Sequence, residues 1–328
     1  MRFGDCLRGT ATLTDGAWGT EFQKLGAALG ACLDEWNLTK PELVRRVAEN
    51  YVQAGSRVIL TNTFRATCIS LAPYGLQGQV DINRAGVKIS RQAADDSAMV
   101  FASIGPSGKM LLTKETNADQ LRDAFSRPAR ALASEGPDAL LIETMTDLAE
   151  ARIADEAALE TGLPVIVWLV FDSGKNRDRT IMGTTPEQAA TALTSDGVHG
   201  VGANCGLGIR DFIPVCGRLA AATPLPVWIK PNAGLPEMVN NVALYKTTEV
   251  EFAASAHELV EAARRFWVDA AARHRSSFAC WRNNLPYRKR RARQFPKYVS
   301  FTDSLVCDGM WMMLRIHRRT LPWRPASF

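Results

Sequence analysis

The sequence has no uncharged apolar run of about 18 residues, the length a helix needs to cross a bilayer. Its first ten residues carry charges where a secretory signal would place an apolar core. These two absences predict a soluble, cytoplasmic protein that makes no use of a membrane. No C-x-x-C spacing occurs, and the seven cysteines, at 6, 32, 68, 205, 216, 280 and 307, are an odd number. A disulfide framework is thereby disfavoured, and free thiols or a metal ligand are favoured. There is no low-complexity linker and no fixed-period repeat.

What is present is enough for a large core. The chain has 328 residues, 46% of them hydrophobic, which suits one big domain such as an α/β barrel or two small ones. The net charge of +5 conceals a division: residues 264–328 hold 15 Lys/Arg against 3 Asp, leaving 24 against 31 for residues 1–263. Half of the eight tryptophans (Trp267, Trp281, Trp311, Trp323) also lie beyond 263. A basic stretch with interleaved aromatics fits nucleic-acid binding by phosphate neutralisation and base stacking. Arginine and tryptophan also accumulate when a GC-rich gene is translated out of frame, and that account is preferred because it predicts a specific motif as well as a composition.

Short apolar runs alternate with amphipathic stretches, the pattern of a parallel sheet with helices outside. Seven strands are predicted, the first ending at Thr14-Asp15 and the others at 58–61, 100–104, 139–143, 165–171, 201–205 and 227–230. The runs V-I-L before Thr61 and V-I-V-W-L-V-F before Asp172 are continuous, as strands buried on both faces require. A helix over 41–54 is predicted with Thr39 as N-cap, Pro41 in its first turn and Gly55 as its stop, and another from Thr185-Pro186-Glu187 to Leu193. After a further helix over 258–263, an eighth strand is required, since a barrel lacking one stave leaves two unpaired edges. The available residues, 264–269, begin with two arginines that suit a barrel core poorly.

The predicted strands end in D-G-A-W-G-T (15–20), I-L-T-N-T-F (59–64), I-G-P (104–106), I-E-T (142–144), G-A-N-C-G (202–206) and K-P-N-A-G (230–234). In this order they resemble the homocysteine S-methyltransferase family, in particular the homocysteine-binding module of the cobalamin-dependent methionine synthase type. The resemblance covers residues 11 to 263. It implies a (β/α)8 TIM barrel that transfers a methyl group to the homocysteine thiol, giving methionine. It also implies a zinc ion held by three thiolates, one from N-C-G and two from a Cys-Cys pair after the eighth strand. Cys205 matches the first and is the expected metal and catalytic residue, acting through zinc; a small buried hydrophobe is the plain alternative. Cys216, on the following helix, is expected in the core.

The Cys-Cys pair is absent from the chain, where Ala270 and Ala271 overlap its place, and Cys280 and Cys307 lack matching surroundings. Residues 267–279, W-V-D-A-A-A-R-H-R-S-S-F-A, have one permitted set of codons that, read two bases later, spells Gly-Gly-Cys-Cys-Gly-Thr-Thr-Pro-Glu-Phe-Ile-Arg, the family's zinc signature. The expected organisation is therefore a homocysteine-binding barrel over 1–263 and a basic, poorly ordered, out-of-frame tail over 264–328. The tail takes the place of the eighth strand and the zinc pair. One thiolate does not hold zinc, so the chain is expected to be impaired in methyl transfer while keeping amino-acid recognition.

For the amino acid, the resemblance implies backbone amides near Asp15 and Gly16 for the carboxylate and Glu143 for the ammonium. Thr61, Asn62 and Thr63 are expected to line the same mouth, although capping of the following loop explains them too. Gly16 and Gly19 also suit a tight βα turn. Glu143 closes an apolar strand, where an unpaired charge is expensive. The stretches I-L-T-N-T-F and D-E-W-N-L-T (34–39) resemble the methionine synthase type. No D-x-H-x-x-G cobalamin motif occurs, and no cobalamin domain is expected in this chain. Trp18, Trp36 and Phe64 are candidates to face a cationic methyl donor, with packing as the simpler role. The alternative function is a non-enzymatic amino-acid-binding barrel whose basic tail binds nucleic acid.

Overall fold

The computed structural model describes residues 12–232 except 79 and 207, then positions 234, 247, 248, 251, 254, 255, 258 and 259, and strand backbone at 236–239, 242–245, 266–268 and 314–318. Helices α1 (Trp18–Lys24), α2 (Trp36–Thr39) and α3 (Pro41–Gln53) precede strand β1 (Val58–Leu60). Then come α4 (Cys68–Leu71), α5 (Asp81–Ala94), β2 (Met99–Ile104), α6 (Ala118–Ala133), β3 (Ala139–Met145), α7 (Leu148–Leu159) and β4 (Val165–Leu169). The alternation continues with α8 (Pro186–Asp196), β5 (Gly200–Cys205), α9 (Phe212–Ala222) and β6 (Val227–Pro231).

Strands β1 to β6 pair in sequence order, all parallel. Thr14 adds a parallel bridge to Val58, so all seven predicted strand positions lie side by side in one parallel run. Every residue of β2 and β4 is buried, as expected for strands covered on both faces. Phe101 on β2 and Trp228 on β6 meet with ring centroids 5.4 Å apart although their strands are not neighbours, so both point into the space the curved sheet encloses. Gly202 on β5 makes room there: a Cβ would lie 2.0 Å from Trp228 O and 2.5 Å from Trp168 Cδ1.

Helix α3 buries Val44, Val47, Ala48 and Tyr51, a stripe at three- and four-residue spacing. Pro41 opens it as predicted, but Thr39 does not cap it. The N-cap is Lys40, without a side-chain bond, and the Thr39 hydroxyl donates to Glu35 O, because Thr39 still belongs to the short helix α2. Thr185 does cap α8, accepting from Gln188 N at 3.2 Å while Gln188 Oε1 accepts from Thr185 N.

The complete eightfold barrel is not what the described residues form. After the hairpin β7 (Pro236–Val239) and β8 (Val242–Tyr245), the edge of β6 is covered by β10 (Leu314–Arg318), which runs antiparallel and pairs in turn with β9 (Phe266–Val268). A parallel closing stave needs an apolar strand delivered by a preceding helix; an antiparallel strand satisfies the same exposed edge without one. Two short segments of the tail thus belong to the sheet, and the rest of the region expected to be poorly ordered lies outside the described residues. Among those described, no helix is long and apolar enough to cross a membrane.

Candidate functional site

The C-terminal ends of the parallel strands surround a cavity of about 450 Å³ whose lining includes Gly16, Trp18, Ser103, Glu143, Asn204, Cys205 and Lys230. Strand ends and the loops after them form this mouth because each βα unit delivers its last residues to the same rim.

Glu143 reaches the rim from β3 and is only 7% exposed. Ser103 Oγ on β2 donates to its Oε1 at 2.5 Å, and Asn204 Nδ2 on β5 donates to its Oε2 at 3.3 Å. Burial raises the carboxyl above its ordinary range, opposed by Lys230 and by the Ser103 bond and assisted by Asp15.

Asp15 is fully buried and its carboxylate is occupied. It accepts from Trp18 Nε1 and Leu60 N, each at 2.6 Å, and pairs with Lys230 Nζ at 3.0 Å. Its own amide donates to Val58 O at 2.9 Å. Of the two amides expected to hold a carboxylate, that of Asp15 is therefore spent on the sheet, while Gly16 lines the cavity.

Thr61 and Asn62 line the cavity too, and the Thr61 hydroxyl and the Asn62 Nδ2 are bonded within the protein. Thr61 Oγ1 accepts from Ser103 N at 3.0 Å and lies 2.6 Å from Thr63 Oγ1. Asn62 Nδ2 donates to Leu33 O and Asn37 Oδ1, and Asn37 Nδ2 donates back to Asn62 O. Asp34 Oδ1 accepts from Arg65 N, and burial raises its carboxyl to about 6. The segments 34–39 and 59–64 thus bind each other, which gives their polar residues a structural task. Trp18 and Phe64 face the cavity; Trp36 does not, being 6% exposed and packed edge-on against Phe22 at 5.3 Å.

Cys205, the last residue of β5, has a φ of 62°, and Thr144, next to last in β3, a φ of 64°. A non-glycine residue in the left-handed region is uncommon, and a β-branched one more so. Asn204 joins the two: its Oδ1 accepts from Thr144 N at 3.0 Å, and its Nδ2 lies 2.7 Å from Thr144 Oγ1 and 3.6 Å from Cys205 Sγ. Burial, followed by the nearby Glu143 carboxylate, pushes the Cys205 thiol up to about 11. Cys216 is buried in α9, as expected of a core residue.

A zinc site of the implied kind needs three protein ligands with a fourth position left for substrate sulfur. Cys205 offers one, flanked by the Thr144 hydroxyl at 4.0 Å and the Asn204 amide. Among the described residues no group of three His, Cys, Asp or Glu side chains is placed to hold a metal, so these residues do not fit zinc. Cys280 and Cys307 lie outside the described residues. Ser103, Asn204 as the partner of Glu143, and Lys230 as the partner of Asp15 were not singled out by sequence; only their places at strand ends could have suggested them.

A family model described as homocysteine S-methyltransferase matches residues 12–274. The chain is 28% identical over 268 residues to methionine synthase of Mycobacterium tuberculosis, covering 76% of this chain and 22% of that protein. It is likewise 28% identical over 258 residues to methionine synthase of Mycobacterium leprae, covering 73% and 21%. The chain therefore spans about a fifth of the length of the curated relatives it matches. Its fold is that of the homocysteine methyltransferase MmuM from Escherichia coli, with a TM-score of 0.69 and 19% identity to the metallated form, over 86% of this chain and 98% of that one. The oxidised form gives 0.68 and 20%, over 84% and 96%.

Proposed function

This chain belongs to the homocysteine S-methyltransferase family, and from that premise we propose that its mouth binds L-homocysteine, with the ammonium at Glu143 and the sulfur toward Cys205. The reaction of the family, methyl transfer to that sulfur giving methionine, is impaired in this chain.

The observation that carries the reading is the convergence of Glu143, Asn204 and Cys205 from two strands on one buried rim. An ionised carboxylate has about four acceptor positions. Ser103 and Asn204 occupy one on each oxygen, which leaves acceptor capacity for an ammonium. Lys230 pairs with Asp15 and also favours the Glu143 charge, so one cation stands against two carboxylates and the group keeps one negative charge beside Cys205. A buried carboxylate of this kind gains by pairing with a cation. The glycine at 16 lets backbone approach the other end of the amino acid.

Impairment follows from the donor set. In the family, zinc supplies the deprotonation and positioning of the homocysteine thiol, which as a free thiol is mostly protonated at neutral pH. Among the described residues Cys205 is the one thiol lining the cavity, and one thiolate does not hold that ion.

Titration calorimetry of the full chain with L-homocysteine tests the reading. Binding is expected, weakened about tenfold or more by Glu143→Ala, the scale of a lost charge-assisted bond. Equal affinity in the two proteins would remove Glu143 from the site.

A further inference from the structure

We propose that Ser103 and Asn204 are positioning residues for amino-acid recognition: together they fix both oxygens of the Glu143 carboxylate, one from each side, so that its remaining acceptor positions face the cavity. This rests on Glu143 being the ammonium partner and adds what holds it there.

The geometry is specific on each side. Ser103, 1% exposed on β2, donates from Oγ to Oε1, and its backbone is fixed by two threonines. Thr63 Oγ1 donates to Ser103 O at 2.7 Å, which commits its proton; Thr61 must then donate to Thr63 across their 2.6 Å contact while accepting from Ser103 N. Thr61 and Thr63 therefore act through Ser103. On the other side, Asn204, 3% exposed on β5, donates to Oε2 and also accepts from the amide of Thr144, the residue after Glu143. That second bond holds Thr144 in its left-handed conformation, at the irregularity of β3 between Ile142 and Met145. A three-carbon acidic side chain with both ends fixed loses its freedom before the ligand arrives, and a pre-ordered partner saves that ordering cost on binding.

A role in holding the carboxylate affects only ligands that carry an ammonium. The test is calorimetry of the full chain with L-homocysteine and with 4-sulfanylbutanoic acid, its analogue without the amino group. Wild type, Ser103→Ala, Ser103→Thr and Asn204→Ala are compared, with circular dichroism and a thermal midpoint recorded for each. Wild type should prefer L-homocysteine. Ser103→Ala and Asn204→Ala should each weaken L-homocysteine by about tenfold while moving the analogue by less than about twofold. Ser103→Thr, which keeps the hydroxyl, should retain the preference. If wild type prefers L-homocysteine and Ser103→Ala keeps that preference, the positioning proposal alone is overturned. If wild type binds both ligands equally, or neither, the Glu143 reading fails and this proposal with it. Equal loss of both ligands in the variants assigns these residues a merely structural part and also overturns it. Should Asn204→Ala fail to fold, Ser103→Ala and Ser103→Thr decide the matter by themselves.

Discussion

Lys230 Nζ lies 3.0 Å from Asp15 Oδ1, although the two residues are 215 positions apart in the chain. Asp15 follows the strand residue at one edge of the parallel run, and Lys230 sits on β6 at the other. Their ion pair therefore bridges the mouth across the gap where a closing parallel stave would stand. It also anchors the indole of Trp18 and the amide of Leu60 to one buried carboxylate.

Lys230→Met should destabilise the fold by about 3 kcal/mol, at the lower end for a broken buried pair because two donors to Asp15 remain. The double variant Asp15→Asn/Lys230→Met should lose less, since no unpaired charge is left. Denaturant midpoints of the three proteins measure this. A double variant less stable than Lys230→Met would show that the pair does not act as a unit.

Gly202→Ala should cost about 1–3 kcal/mol or more, since the new methyl meets Trp228 O, a backbone atom of the neighbouring strand with little freedom to retreat. Thermal unfolding reads the loss directly. An unchanged midpoint would mean that β5 and β6 are not in this register.

Asp155 on α7 is buried, with Oδ2 lacking a hydrogen-bond partner, and burial followed by the charge of Asp196 raises its carboxyl to about 7. Arg152, which pairs with Asp196 at 2.7 Å, opposes the shift only in part. The folded value lies above the unfolded one, so this contribution to stability is complete below about pH 4 and is lost as the pH rises toward 7. Asp155→Asn should flatten that part of the stability profile. A slope identical to wild type between those limits would contradict the assignment.

The parallel run was legible because V-I-L, V-I-V-W-L-V-F and the other runs are apolar on both faces, and the ends of β1 to β6 fell within two residues of the predicted places. The cap at Thr185 was legible because Gln188 stands three residues on. Thr39 misled: it has the right side chain one position too early, inside a helix too short to announce itself. Glu143 and Cys205 were recognisable from motifs, but Ser103 became a partner only through the pairing of β2 with β3, and Lys230 only through the curvature of the sheet, which brings β6 to Asp15. No local pattern encodes such distances. Thr61 and Asn62 line the cavity, yet hydrogen bonds tie them to Ser103, Leu33 and Asn37, which spacing does not reveal. The antiparallel edge at β10 was not anticipated because five residues following a long basic stretch carry no periodic signal.

Zinc content of the purified full chain tests the central claim most directly: saturation with zinc, exhaustive dialysis, then metal and protein determined on the same sample. Far less than one zinc per chain is expected, with no methionine formation above background from the dialysed protein. One firmly held zinc per chain, lost on Cys205→Ser and accompanied by methionine formation, would contradict it.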